Sequence, residues 1–143
     1  MSKWDFLNDF QKSFEFDLKI KSDEAVLTNR DTGESIIVFE ERYISDNSYE
    51  YVVCFSTQHC HFDDIDDAAE YIRLILTDEV LPIEFYYNGK NRFGGEIRKS
   101  DFKKLSKEFL VSYSHHDEEY ISQLEYEVHS WSGKYNVERR KVE

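Results

Sequence analysis

Runs of hydrophobic and β-branched residues, broken by short polar segments, fill the first half of the chain. The runs cover residues 16–20, 24–29, 34–41 and 49–57, and turn-forming residues separate them. Such runs between turn signals are typical of β-strands. Because the connections are short, we expect an antiparallel meander in which each strand pairs with the next one.

Hydrophobic positions recur at helical spacing in two other segments. Trp4, Leu7, Phe10 and Phe14 predict a first helix over residues 3–14. A second stripe starts at Ile65, where four aspartates between Asp63 and Asp67 supply the acidic first turn that helices favour. This helix should end near Asp78, because the residue before Pro82 is disfavoured in a helix.

The second half of the chain predicts further hairpins. Residues 83–87 and 93–98 should pair as one hairpin, and Ser100 is a suitable cap for a short helix after them. A last hairpin is expected around the Ser132–Gly133 turn, although residues 117–125 could instead be helical.

These elements predict one α+β domain over residues 1–143. It should contain a single antiparallel sheet, built from the meander plus hairpins, with about three helices packed on one face. A hydrophobic content of 40% and an aromatic content of 16% exclude a disordered chain. No apolar run reaches the ~20 residues that cross a bilayer, and the first residues do not resemble a secretion signal, so we expect a cytoplasmic protein.

The charge of the chain is strongly negative and uneven. The formal net charge is -12, and residues 1–87 carry 20 acidic against 7 basic residues. Residues 88–107 form a basic stretch with 7 basic and 2 acidic residues. A negative field repels nucleic acid and anionic membranes, so the charge favours a basic protein partner.

The segment CFSTQHCHF, residues 54–62, contains both cysteines of the chain and two of its five histidines. If it is one extended strand, Cys54 and Cys60 lie about 20 Å apart, too far for a disulfide. His59 and His61 then share the opposite face, which is a suitable geometry for two zinc ligands. A third ligand could come from His129, His115, His116 or a carboxylate, so a metal-dependent enzyme using His59 and His61 remains an alternative. No nucleotide-binding or metal-binding motif is present, and we expect no cofactor.

Acidic residues are the strongest candidates for a binding surface. Four carboxylates between residues 63 and 67 exceed what helix capping requires, and aromatic side chains beside acids suit a protein interface. The predicted partner-binding residues are Asp63, Asp64, Asp66, Asp67, Glu70, Tyr126 and Trp131.

In size, charge and predicted architecture, the whole chain resembles the small acidic immunity proteins of bacterial polymorphic toxin systems. The resemblance implies a non-catalytic bacterial protein, a monomer or homodimer, that neutralises a basic partner such as a toxin domain. It rests on no residue-level motif and therefore assigns no site residue. In acidity and in the order helix, three strands, helix, strand, the chain also resembles type III secretion chaperones, which bind proteins as dimers. The fourth early strand and the long C-terminal hairpin depart from that second pattern.

Overall fold

Two separate antiparallel sheets form the framework of the computed structural model, which describes residues 2–143. The first sheet has five strands in chain order, β1 (Asp17–Ile20), β2 (Glu24–Thr28), β3 (Ser35–Tyr43), β4 (Ser48–Phe55) and β5 (Gln58–Phe62). The second has the order β7-β6-β8-β9, with β6 (Val80–Tyr87), β7 (Lys90–Arg98), β8 (Glu125–Val128) and β9 (Val137–Lys141). The α+β prediction is confirmed, and so is the meander, but the prediction of a single sheet is wrong.

Four α-helices and one 3₁₀ helix accompany the sheets in the described residues. They are α1 (Phe6–Phe10), α2 (Ile65–Leu76), the 3₁₀ helix (Lys99–Lys104), α3 (Lys107–Ser114) and α4 (Glu118–Ile121). The first helix is shorter than predicted, since isolated turns replace helix on both sides of it. Ser106 caps α3, where its Oγ accepts from Phe109 N at 3.2 Å, so the predicted capping role of Ser100 is wrong. None of these helices is long and apolar enough to cross a bilayer.

Each sheet has its own hydrophobic core. The first core lies between the five-stranded sheet and helices α1 and α2, and it includes Leu7, Val53 and Ile72. The second core lies between the four-stranded sheet and helices α3 and α4, and it includes Phe85 and Leu110. Helices therefore cover the inner face of each sheet separately, because each sheet must bury its own apolar face.

Trp131 connects the two halves of the fold. It follows β8 of the second sheet, yet its ring packs against Phe55 in the first core, with ring centroids 6.2 Å apart. The side-chain amide of Asn29 donates a hydrogen bond to the carbonyl oxygen of Trp131 at 2.8 Å, in a buried position. This contact pairs a buried polar group and fixes the loop after β8 against the first sheet.

A buried carboxyl group forms a second junction between the sheets. Glu84 of β6 is only 3% exposed, and it accepts hydrogen bonds from the side chains of Thr57, Gln58 and Asn91. Its cross-strand partner is Gly94, where an added Cβ would lie 2.4 Å from both carboxyl oxygens. The β4–β5 turn is thus anchored to the second sheet through space that only glycine leaves open.

Candidate functional site

The CFSTQHCHF segment is a tight hairpin and not one extended strand. The chain turns at Ser56 and Thr57, and Ser56 has a left-handed backbone with φ of 56°. Cys54 consequently lies opposite His59, and Val53 lies opposite Cys60. The predicted extended strand and its 20 Å separation are therefore wrong. Hydrogen bonds from the side chains of Thr57 and Gln58 to Glu84 fix the turn. No local sequence pattern predicts this contact, because Glu84 belongs to a distant strand.

The two cysteines lie on opposite faces of the five-stranded sheet. Cross-strand partners share a face, so Cys54 is on the outer face with His59, whereas Cys60 joins Val53 on the core face. Both thiols are free. Burial raises the pKa of Cys54 and of Cys60 above the ordinary thiol value, which disfavours the reactive thiolate.

His59 and His61 do share the outer face, as predicted, and their ring centroids are 5.3 Å apart. His61 Nδ1 lies 2.7 Å from an Oε2 atom of Glu50, to which the hydroxyl of Tyr43 also donates at 2.6 Å. The hydrogen bond from Tyr43, and secondly the one from His61, lower the pKa of Glu50 below its usual value. His129 is not part of this group: it follows β8 of the second sheet, where its Nε2 lies 3.2 Å from Glu127.

The predicted acidic residues surround the start of α2. Asp63, Asp64, Asp66 and Asp67 are all exposed. Asp64 is the N-cap of α2 and accepts from Asp66 N at 2.6 Å, so it has a structural role. Glu70 pairs with Arg73, whose Nε lies 2.9 Å from its carboxylate, so its charge is compensated on the helix surface. Within residues 2–143, Asp63, Asp66 and Asp67 form no salt bridge.

The β3–β4 hairpin extends this acidic surface with exposed hydrophobic groups. Ile44 is 91% exposed and Tyr49 is 46% exposed, and Tyr43 beside them is also exposed. Tyr51 of β4 pairs with Phe62, the last residue of β5. Glu50, which precedes Tyr51, and Asp63, which follows Phe62, therefore lie at the same end of the sheet. We call this region the acidic end, and its residues are Glu41, Tyr43, Ile44, Asp46, Tyr49, Glu50, Asp63, Asp66 and Asp67.

Basic side chains near the acidic end are already engaged with neighbouring groups. The guanidinium of Arg42 donates to Asn47 at 2.7 Å and lies 5.6 Å from the ring centroid of Tyr49. Lys3 binds both Glu40 and Asp23. The exposed aspartates of the acidic end therefore keep their negative field, while the aromatic rings provide contact area beside it.

The two aromatic residues predicted to bind a partner are both buried. Tyr126 is 8% exposed and belongs to the second core, and Trp131 is 4% exposed and belongs to the first. Neither ring is accessible to a partner in this structure. Sequence reasoning selected them by residue type, whereas the accessible rings are those of Tyr43 and Tyr49. In the sequence, the hydrophobic residues Tyr43 and Ile44 directly before the polar turn 45–48 were the available signal for an exposed hydrophobic surface at this hairpin.

Comparison of the chain with protein-family models, with curated proteins and with solved structures found no match.

Proposed function

We propose that this protein is a non-catalytic, acidic binding module that captures a basic protein partner through the acidic end. The observation that carries the proposal is the convergence of exposed hydrophobic side chains and uncompensated aspartates at one end of the five-stranded sheet. In keeping with the resemblance to immunity proteins, we propose that the partner is a toxin-like domain and that capture takes place in the bacterial cytoplasm.

Exposed hydrophobic groups support the proposal because soluble proteins seldom concentrate them without a use. Among the described residues, the large hydrophobic side chains with high exposure are Ile20, Tyr43, Ile44 and Tyr49. Three of these lie on one hairpin. Tyrosines supply rigid contact area with a polar tip, and residues of this type often dominate the binding energy of an interface.

Negative charge supports the choice of a basic partner. Asp63, Asp66 and Asp67 lie at the start of α2, beside the hairpin, and no basic side chain in the described residues pairs with them. Complementary charge raises association rates by about 10–1,000-fold and has less effect on dissociation. The two features thus have separable kinetic roles, with charge governing capture and apolar contact governing residence time.

Two variants test these roles. In the first, Asp63, Asp66 and Asp67 are replaced by Lys, and Asp64 is kept because its loss as N-cap would cost about 1 kcal/mol. In the second, Ile44 and Tyr49 are replaced by Ser, which the fold should tolerate because both side chains are exposed. Wild-type protein captures partners from a lysate of the source cells, mass spectrometry identifies them, and surface plasmon resonance then measures binding of the captured protein.

We expect the aspartate variant to lower the association rate at least tenfold, and the hydrophobic variant to raise the dissociation rate by about 30-fold, equivalent to a loss of about 2 kcal/mol. The matched control replaces three exposed acids of the other half, Glu108, Glu119 and Glu138, by Lys. It changes the net charge equally and should leave binding nearly unchanged. A captured partner that is not basic, or wild-type kinetics in both test variants, would refute the proposal. Gel filtration of the free protein tests the alternative of a secretion chaperone, which requires a dimer, so a monomer would speak against that alternative.

A further inference from the structure

Three potential metal ligands meet on the outer face of the five-stranded sheet. Glu41 and Glu50 are cross-strand partners on β3 and β4, and His61 lies next to them on β5. A carboxylate oxygen of each glutamate and a ring nitrogen of His61 all lie within 4.8 Å of one another. The group is assembled from three neighbouring strands, so the sheet itself fixes the backbone positions of its members.

We propose that Glu41, Glu50 and His61 form a binding site for a divalent transition-metal ion, for which Zn²⁺ is the probe, with water in the fourth position. Tetrahedral zinc holds nitrogen and oxygen ligands at about 2.0–2.2 Å, so neighbouring ligand atoms approach to about 3.3 Å. Side-chain rotation alone can bring atoms that already lie within 4.8 Å to that spacing. His61 Nδ1 and Glu50 Oε2 are 2.7 Å apart, so these two ligand atoms must separate slightly to bind one ion.

The ligand types select the class of ion. Imidazole nitrogen suits zinc and copper, whereas calcium and magnesium are bound almost entirely by oxygen. His59 shares this face, with its ring centroid 5.3 Å from that of His61, but it pairs with Cys54, four residues along β4 from Glu50, and lies outside the group. Two carboxylates and one neutral imidazole would give a neutral complex with a divalent cation and leave one position for water.

A hydrogen bond holds the carboxylate of Glu50 within this group. The hydroxyl of Tyr43 donates to Glu50 Oε2 at 2.6 Å. The site is open to solvent, since the His61 side chain is exposed and that of Glu50 is partly exposed. An ion can therefore enter without unfolding of the sheet.

Isothermal titration calorimetry with ZnCl₂ tests the site on protein purified without a histidine tag. We expect one Zn²⁺ per chain, and binding at least about tenfold weaker in Glu50→Gln and in His61→Gln. Loss of even an outer partner of a ligand costs about 10–100-fold in metal affinity, so loss of a direct ligand should cost no less. NMR of the wild-type imidazoles gives an independent measurement: the resonances of His61 should shift on zinc addition, and those of His129 should not.

The matched control is His129→Gln, which removes an imidazole from the second sheet and should bind Zn²⁺ as the wild type does. CaCl₂ should compete poorly. The proposal is overturned if the wild type binds no stoichiometric zinc, if Glu50→Gln and His61→Gln both keep full affinity, or if Ca²⁺ binds as tightly as Zn²⁺. All of these measurements use the isolated chain, so their outcome does not depend on the partner binding proposed above.

Discussion

Replacement of Gly94 by Ala should disrupt the junction between the two sheets. The new Cβ would lie 2.4 Å from both carboxyl oxygens of Glu84, far inside any tolerated contact. Glu84 must then move, and it would lose the hydrogen bonds that it accepts from Thr57, Gln58 and Asn91. At about 0.5–1.5 kcal/mol for each bond, we expect a loss of about 2–4 kcal/mol in the free energy of unfolding.

The same substitution should be harmless once Glu84 is absent. The three atoms nearest to the added Cβ all belong to Glu84, so Glu84→Ala opens the space that the methyl group needs. In that background Gly94→Ala should be neutral or stabilise by about 0.5 kcal/mol, because alanine loses less backbone entropy on folding. The double-mutant cycle should therefore show a coupling energy of at least about 2 kcal/mol.

Urea unfolding followed by tryptophan fluorescence measures all four proteins of the cycle. Trp4 and Trp131 are both buried in the first core, so their emission reports on the half of the molecule that the junction holds in place. A Gly94→Ala cost that is equal in the presence and absence of Glu84 would refute the steric argument.

Two further predictions follow from hydrogen bonds and burial. The carboxyl of Glu127 is partly buried, which alone would raise its pKa, but hydrogen bonds from Tyr86 and His129 and the charge of Arg139 lower it overall. The stabilisation from the ionised Glu127 is complete above its unfolded pKa of about 4.5 and is lost as the pH falls through its folded pKa. Tyr86→Phe should therefore lower the free energy of unfolding by about 1–2 kcal/mol at pH 7 and by less at pH 3, as measured by urea unfolding. Equal losses at both pH values would contradict this. Burial raises the pKa of Cys54 and Cys60, so fewer of these thiols are reactive thiolates in the native protein. Their alkylation by iodoacetamide at pH 8 should therefore be several-fold slower in native than in urea-unfolded protein. Equal rates under both conditions would argue against this protection.

Local sequence signals were sufficient for elements that local contacts determine. Helix α2 has an apolar stripe from Ile65 to Leu76 and an aspartate cap, and both features lie within the helix or next to it. The β6–β7 hairpin was recognised for the same reason, although Pro82 was expected outside the strand. Pro82 lies within β6 where the pairing with β8 ends, so its missing N–H falls at the end of that ladder.

Contacts between distant parts of the chain account for the failures. The turn at Ser56–Thr57 has neither glycine nor asparagine, and it depends on Glu84 of another strand. The division into two sheets arises because β6 pairs with β7 and with β8 and not with a strand of the first sheet, a choice that hydrophobic alternation does not encode. The same limit affected the binding surface: residue types indicated the exposed aspartates, but only the fold shows that Trp131 is covered and that Ile44 projects into solvent.

The strand order also sets when each half of the molecule can be completed during translation. Strands β1 to β5 pair in chain order, so every hydrogen-bonded ladder of the first sheet can close soon after Phe62 leaves the ribosome. The hydrophobic core of this sheet remains incomplete until Trp131 has been synthesised, which takes several seconds more at a translation rate of roughly 5–20 residues per second. The nascent chain therefore exposes Phe55 and its neighbours throughout that interval, and this is when a chaperone would bind it or a protease would cut it.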